Sequence, residues 1–312
     1  MRLYRFEAEG RQHLGAQHEH GLVDLAAAHA ARTAASRSSA APGFALPTDL
    51  LAFIQAGAAA LDAAAEAITF AAEPAAPASA RLIYSFDEVR LLAPITNPGK
   101  ILCSGVNYLG HKQENPAAVL PENPGFFVKL SSAIIGPGEP IVLPKMSQQV
   151  DYEVEFAVVI GRRLHKAGEA EAMAGVFGYT ILHDVSARDI QMKAPQPNQI
   201  TLGKNFDTFS PIGPCVVTAD ELPTPGQAGL RTLLNGRLMQ DGSTADWLFP
   251  LPFLLAYTSQ IMTLEPGDIV TTGTPAGVGY FQKPQVFLKA GDVVVLEIDG
   301  IGRLENPVVV EE

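Results

Sequence analysis

The chain has 312 residues, 47% of them hydrophobic and 18% charged, which is enough length and apolar content for a large buried core. Its formal net charge of -11 at pH 7 argues against nucleic acid and anionic membranes as partners, because both attract clustered Lys and Arg. The charged first residues lack the apolar run of a secretory signal, and no later run approaches a membrane span, so we expect a cytoplasmic globular protein.

The first third of the chain predicts a small α/β domain. Residues 1–6 form a predicted strand, and alanine-rich helices are predicted at 22–33 and 47–67, the second opening on the capping signal Pro47, Thr48 and Asp49. Segments 32–47 and 71–80 are rich in Ser, Ala and Pro, which is typical of exposed connectors. We therefore assign residues 1–90 to a small N-terminal domain and residues 91–312 to the main domain.

From about residue 100 the sequence changes to short β-branched runs separated by Gly and Pro, which predicts a mostly β domain. Asn235-Gly236 and Asp299-Gly300 are hairpin signals and favour antiparallel pairing. Helices are predicted only at 108–119, 167–173 and 251–261. The pattern indicates an α+β fold in which a mixed β-roll or β-sandwich adjoins the smaller N-terminal domain.

The strongest chemical signal is the stretch VDYEVEFAVVIG at residues 150–161, in which acids alternate with apolar residues. In a strand this alternation places Asp151, Glu153 and Glu155 on one face, about 6.6–6.8 Å apart. Three like charges repel unless solvent, cationic side chains or a metal ion offsets them. This stretch alone is equally compatible with a solvated outer face and with a ligand set.

A second acidic position, Asp184, ends the apolar strand GYTILHD. Capping of the following turn is the commoner role of an isolated aspartate. Together, however, Glu153, Glu155 and Asp184 predict an all-oxygen anionic site that suits Mg²⁺ or Mn²⁺. Zinc is disfavoured, because His165 and His183 lack the spacing of a zinc-binding pair.

Four motifs follow one another in the second part of the chain: VDYEVEFAVVIG, GYTILHDVSARDIQ, LGKNFDTFSPIGP and GDIVTTGTPAGVG. In order and spacing they resemble the fumarylacetoacetate hydrolase family, from about residue 98 to the C-terminus. The resemblance implies a mixed β-roll catalytic domain, usually in homodimers, with Mg²⁺, Mn²⁺ or occasionally Ca²⁺ held by Glu153, Glu155 and Asp184. Asp151 matches no ligand in the smaller members and is interpreted either as a group that contacts the metal ligands from behind or as ion-paired. His183 stands where many relatives carry asparagine.

The resemblance also implies catalytic groups beyond the acids. His111 and Glu114 are neighbours on a helix, so Glu114 can orient the imidazole, although a solvated turn is the commoner outcome of this spacing alone. The pattern N-Y-x-x-H-x-x-E matches a histidine–glutamate pair that the family carries over its metal. Lys204 resembles the family lysine that faces developing negative charge. Further matches are the substrate-binding positions Arg188, Gln191 and Thr274.

We therefore expect a divalent-metal-dependent hydrolase that cleaves a carbon–carbon bond in a small anionic 2,4-dioxo acid, such as an acylpyruvate or fumarylpyruvate. The products would be pyruvate and a carboxylic acid, in the catabolism of aromatic compounds or sugar acids. His111 would activate water, while the metal and Lys204 would stabilise an enolate. Two alternatives remain open: a metal-dependent isomerase or decarboxylase of 2-hydroxymuconate-type or diketo-deoxy sugar acids, and a catalytically silent metal-binding protein.

Overall fold

The computed structural model describes residues 1–36, 44–73, 81–110, 114, 119–193 and 199–312. Within these residues the chain forms nineteen strands and seven α-helices. The strands are β1 (Arg2–Ala8), β2 (Arg11–His18), β3 (Gly21–Asp24), β4 (Ile83–Tyr84), β5 (Arg90–Leu92), β6 (Ile101–Ser104), β7 (Phe126–Lys129), β8 (Ile134–Ile135), β9 (Ile141–Leu143), β10 (Val150–Asp151), β11 (Val154–Ile160), β12 (Val176–His183), β13 (Ser186–Ala187), β14 (Ser210–Thr218), β15 (Gly229–Leu234), β16 (Arg237–Ser243), β17 (Ile269–Thr271), β18 (Val293–Ile298) and β19 (Gly302–Val310). The helices are α1 (Leu25–Ala35), α2 (Leu50–Ala56), α3 (Ala58–Ala71), α4 (Glu169–Ala174), α5 (Arg188–Gln191), α6 (Ile200–Gly203) and α7 (Leu251–Ile261).

A twelve-stranded sheet runs through both halves of the chain. Its order is β4-β3-β2-β1-β14-β12-β11-β17-β6-β7, with β5 paired to β1 and β8 paired to β14. The junction between the halves is the antiparallel pair β1–β14, in which Arg2 lies opposite Val217. The predicted N-terminal domain therefore adds its strands to the sheet that carries the acidic residues.

A second, five-stranded sheet has the order β16-β15-β18-β19-β9. Its apolar side chains, among them Leu230 and Leu296, share one core with Phe156 and Tyr179 of the large sheet. The hairpins predicted at Asn235-Gly236 and Asp299-Gly300 are both present, as β15–β16 and β18–β19. The two packed sheets confirm the predicted mixed α+β architecture, and the described strands form no closed barrel.

The alanine-rich helices cover the opposite face of the large sheet. Leu25 of α1, Phe53 of α2 and Ala64 of α3 share a second core with Ile101 and Val159. Asp49 caps α2 as predicted, because its side chain accepts a hydrogen bond of 3.0 Å from the amide of Ala52.

The single helix predicted at 47–67 is instead two helices, because Gly57 adopts a φ of 65° and breaks it. Among the described residues no one helix is long and apolar enough to cross a membrane. Only α2 and α3 together, bent by 113°, reach that length and composition.

The later helix predictions have different outcomes. The helices predicted at 167–173 and 251–261 are confirmed as α4 and α7. Most of the helix predicted at 108–119 lies outside the described residues, although Glu114 is helical.

Candidate functional site

The acidic stretch forms two strands where the sequence predicts one. The pair Val150–Asp151 belongs to β10 and is bonded to β13, whereas β11 begins at Val154 and is bonded to β12. Between β10 and β11 the chain leaves the hydrogen-bonded ladder, because these two strands pair with different partner strands. All three acids of the stretch are buried, Asp151 fully, so the alternative of a solvated outer face is excluded.

Glu153, Glu155 and Asp184 converge at the ends of β11 and β12. One carboxylate oxygen from each lies within 4.8 Å of the others. Oε2 of Glu155 is buried without a hydrogen-bond partner among the described residues. Burial, followed by the charges of Asp184 and Glu153, raises the pKa of Glu155 well above its ordinary value. A hard divalent cation fits this set, because it would satisfy the orphaned oxygen and offset the repulsion.

Lys204 lies directly beside these acids. Its ammonium donates a hydrogen bond of 2.8 Å to Oε2 of Glu153 and a second one to Oδ2 of Asp184. Burial alone would raise the pKa of Glu153, but the charges of Lys204 and Arg188 lower it below its usual range. Lys204 is 2% exposed and is therefore a buried part of the site.

A second buried lysine, Lys129 at the end of β7, was not singled out from the sequence. Its ammonium donates to Oδ1 of Asp184 at 2.6 Å, to the carbonyl of Lys204 at 2.7 Å and to that of Val185 at 3.4 Å. These three contacts use all three ammonium protons. The only sequence signal was a single charge inside the apolar run FFVKL, which also suits an exposed strand position.

Arg188, the first residue of α5, links the acids to each other. It donates to Asp151 at 2.9 Å, to Glu153 at 2.5 Å and to Gln191 at 3.0 Å. Its guanidinium therefore joins the carboxylates of Asp151 and Glu153.

Asp151 is ion-paired as interpreted from the sequence. It accepts hydrogen bonds from the backbone amides of Gly279 at 2.8 Å and Tyr280 at 3.0 Å. A Cβ at Gly279 would collide with the carbonyl of Val286. Because Gly279 has no Cβ, the end of the GTPAGVG motif can approach the carboxylate of Asp151 closely.

A cavity of about 290 Å³ opens over these groups. Four predicted site residues, Arg188, Gln191, Lys204 and Thr274, contribute to its wall together with Glu153 and Glu155. Ser104, Gly105 and six apolar residues complete the described lining, the apolar ones being Val106, Phe127, Met192, Ile200, Val278 and Phe281. Three cations, Lys129, Arg188 and Lys204, face four buried carboxylates, so a bound dication would make the site net positive and attractive to an anion.

The predicted histidine–glutamate pair is described only in part. His111 lies outside the described residues. Glu114 is half-buried and its Oε1 accepts a hydrogen bond from the amide of Gly277, in the loop that also carries Thr274. The structure thus connects Glu114 to the cavity wall, and its pairing with His111 stays a prediction.

His183 is buried next to Asp184 in the chain, with Nε2 unpaired among the described residues. Burial, with a further contribution from the charge of Lys129, lowers the pKa of His183 to about 3. The imidazole is therefore neutral near pH 7 and adds no charge to the acidic set.

Comparison with known proteins connects this geometry to a family. Residues 100–309 match the family described as fumarylacetoacetate (FAA) hydrolase C-terminal. The mitochondrial oxaloacetate tautomerase fahd2 of Xenopus laevis is 47% identical over 264 residues, which cover 85% of this chain and 79% of that protein. A fumarylacetoacetate hydrolase from the psychrophilic Exiguobacterium antarcticum superposes with a TM-score of 0.79 at 34% identity, with both chains fully covered.

A maleylpyruvate hydrolase from Sphingobium sp. SYK-6, solved with manganese(II) and pyruvate, gives a TM-score of 0.74 at 30% identity, again with full coverage of both chains. The four sequence motifs, the mixed-sheet fold and the buried acidic set agree with these matches. The chain belongs to the fumarylacetoacetate hydrolase family.

Proposed function

We propose that this chain is a divalent-metal-dependent enol–keto tautomerase of a small 2-oxo dicarboxylate of the oxaloacetate class. The observation that carries the proposal is the 47% identity to an oxaloacetate tautomerase, which extends over 85% of the chain. The hydrolysis of 2,4-dioxo acids that we expected first becomes the second candidate. Mg²⁺ or Mn²⁺ held by Glu153, Glu155 and Asp184 is part of the proposal.

The geometry of the cavity is compatible with this chemistry. A bound ion would polarise the 2-oxo oxygen and lower the free energy of the enolate. Lys204 uses two of its ammonium protons on Glu153 and Asp184, which leaves the third for an oxygen of the ligand. Arg188 and Lys204 give the wall of the cavity its positive charge, which favours a dianion.

Tautomerisation also makes the smaller demand on the protein. The enol oxygen loses a proton and C3 gains one, so no water is consumed and no carbon–carbon bond breaks. Hydrolysis requires in addition a base that activates water. The residue predicted for that role is His111, whose placement lies outside the described residues.

Two observations favour hydrolysis as the second candidate. The maleylpyruvate hydrolase with manganese and pyruvate has the same fold over the full length of both chains. In addition, Glu114 contacts the loop that carries Thr274, as a residue that orients a base above the cavity would.

A tautomerisation assay separates the candidates. The Mn²⁺-loaded protein is mixed with enol-oxaloacetate, and loss of the enol ultraviolet absorbance is followed beside metal-free protein and Glu155→Gln. We expect acceleration only by the loaded parent protein. In parallel, acylpyruvates, fumarylpyruvate and maleylpyruvate are tested for pyruvate release. Cleavage of these acids without enol loss would replace the tautomerase proposal with hydrolysis, and a folded, metal-loaded protein without either activity would support a catalytically silent protein.

The variant His111→Ala sharpens this division. If the protein is a tautomerase, the variant keeps its rate of enol loss. If hydrolysis is the reaction, the variant loses pyruvate release, because water is no longer activated. The homodimer and the cytoplasmic location also remain proposals. Size-exclusion chromatography with light scattering measures the molar mass of the protein and so tests the homodimer.

A further inference from the structure

The side chain of Gln240, on β16, makes four hydrogen bonds inside the protein. Its Oε1 accepts from the amide of Val154 at 3.0 Å and from the hydroxyl of Thr232 at 2.7 Å. Its Nε2 donates to Oγ1 of Thr274 at 2.8 Å and to the carbonyl of Pro275 at 2.9 Å. Gln240 has no exposed surface, and these contacts use every donor and acceptor of its amide.

The orientation of this amide is determined by its partners. The backbone N–H of Val154 can only donate, so the oxygen of Gln240 must face it. The carbonyl of Pro275 can only accept, so the nitrogen must lie on the other side. Because Thr274 lies on the nitrogen side, its hydroxyl oxygen necessarily accepts a hydrogen bond from Gln240.

The hydroxyl proton of Thr274 is not used in its contact with Gln240. The described residues supply the hydroxyl with one side-chain partner, Gln240, and that partner donates. Thr274 is 4% exposed and lines the cavity above the acidic set. Its O–H is therefore left to donate to an acceptor inside the cavity.

We propose that Gln240 is a positioning residue that fixes the Thr274 hydroxyl as a hydrogen-bond donor, and so selects ligands with an acceptor oxygen at this point. A carboxylate or oxo oxygen fits such a donor, whereas an ammonium group does not. The same amide holds Val154, between Glu153 and Glu155, at a fixed place relative to Thr274. The inference deepens the proposed function and rests on it for the oxo-acid class.

Two glycines near the Gln240 amide allow close packing between β16 and the loop that carries Thr274. A Cβ at Gly277 would collide with the carbonyl of Met239, and one at Gly242 would collide with Pro275. The loop that carries Thr274 therefore lies directly on β16. Thr274 takes its position from Gln240 through this contact.

Binding of oxalate to the Mn²⁺-loaded protein tests the inference without turnover, because every polar atom of oxalate is an acceptor. Thr274→Val removes the hydroxyl, and we expect about tenfold weaker binding, the effect of one hydrogen bond to a charged group. Gln240→Met should weaken binding to a similar degree. The double variant should be no weaker than Thr274→Val alone, because Gln240 acts through Thr274.

A matched control is Asn306→Leu. The Asn306 amide is 1% exposed and donates to the carbonyls of Gly136 and Glu139, each at 2.8 Å, without lining the cavity. This variant should lose stability but keep the oxalate affinity. If Gln240→Met does not fold, Gln240→Glu replaces it, because a carboxylate still accepts from Val154 but makes Thr274 donate away from the cavity.

The outcomes separate this inference from the proposed function. Unchanged oxalate affinity in the Gln240 variant, with weaker binding in Thr274→Val, would overturn the inference alone. Additive losses in the double variant would also overturn it, because Gln240 would then act independently of Thr274. Failure of the parent protein to bind oxalate at all would overturn the proposed oxo-acid site and this inference together.

Discussion

The ammonium of Lys129 lies 2.6 Å from Oδ1 of Asp184, and neither side chain has any exposed surface. Asp184 is at the same time bonded through Oδ2 to Lys204. Each oxygen of this candidate metal ligand therefore has its own cationic partner. The rotamer of Asp184 is held from two sides, by Lys129 at the end of β7 and by Lys204 directly after α6.

Replacing Lys129 with Met should destabilise the metal-free protein. The substitution leaves Asp184 with one partner fewer and the carbonyl of Lys204 unpaired, so we expect the free energy of unfolding to fall by about 3 kcal/mol. Urea unfolding measures it. Lys145→Met is the control, because Lys145 is exposed, and it should change stability by less than about 0.5 kcal/mol. Equal stability of the two variants would contradict the structural role of Lys129.

Replacing Glu155 with Gln should stabilise the metal-free protein at neutral pH. The raised pKa of Glu155 means that the folded state favours the protonated carboxyl. That stability is present below the ordinary pKa of 4.5 and is lost as the pH rises through the raised value. The variant carries no charge to bury, so near pH 7 we expect it to be about 1–3 kcal/mol more stable than the parent.

The gain in stability of Glu155→Gln over the parent protein should disappear as the pH approaches 4. Thermal unfolding of both proteins across a pH series measures this difference. Addition of Mn²⁺ should reverse the order, because only the parent protein gains stability from the bound ion. Glu122→Gln, at an exposed position, is the matched control and should not be more stable than the parent protein at pH 7. A Glu155 variant less stable than the parent at every pH would disprove the burial argument.

Replacing Asp151 with Asn should lower the free energy of unfolding but should not abolish metal binding. Asn keeps the size of the side chain but loses the charge opposite Arg188, and it turns one N–H toward a donor. We expect a loss of about 2–3 kcal/mol in unfolding free energy. Titration calorimetry should still show one Mn²⁺ per chain. Loss of the ion would identify Asp151 as a ligand, and Asp189→Asn, which removes polar contacts with Ser147 and Gln148, serves as the control.

Removing the cap of α2 should affect stability alone. In Asp49→Ala the amide of Ala52 loses its acceptor, so we expect a cost of about 1 kcal/mol in urea unfolding. Asp62→Ala changes an exposed position inside α3 and should cost less. Oxalate affinity should remain that of the parent protein in both variants. Weaker oxalate binding in Asp49→Ala would show that the N-terminal helices influence the cavity.

Local patterns in the sequence predicted much of the fold. The hairpins at Asn235-Gly236 and Asp299-Gly300 need two residues of turn chemistry, and the cap at Asp49 needs one. The acidic set was also within reach, because Glu153 and Glu155 are two residues apart and Asp184 ends an apolar run. Such features depend on neighbours in the chain, and their physical causes are visible there.

Several other contacts between distant segments were not predicted. Lys129 carries no mark of burial in its own strand, because its partner Asp184 lies 55 residues away. Gln240 belongs to a hairpin whose pattern explains only the turn, whereas its partners Val154 and Thr274 come from two other segments. The break between β10 and β11 also follows from the choice of partner strands, which alternation of acids does not reveal.

The pairing of β1 with β14 also bears on how this protein can be cut or recombined. Residues 91–312 alone would leave Val216 and Val217 of β14 without the strand that lies opposite them, because β8 pairs only with Ser210 and Pro211. An unpaired strand edge is a template for aggregation. Chimeras between relatives should therefore exchange the first strand together with β14, since a junction at residue 90 separates two neighbours in one ladder.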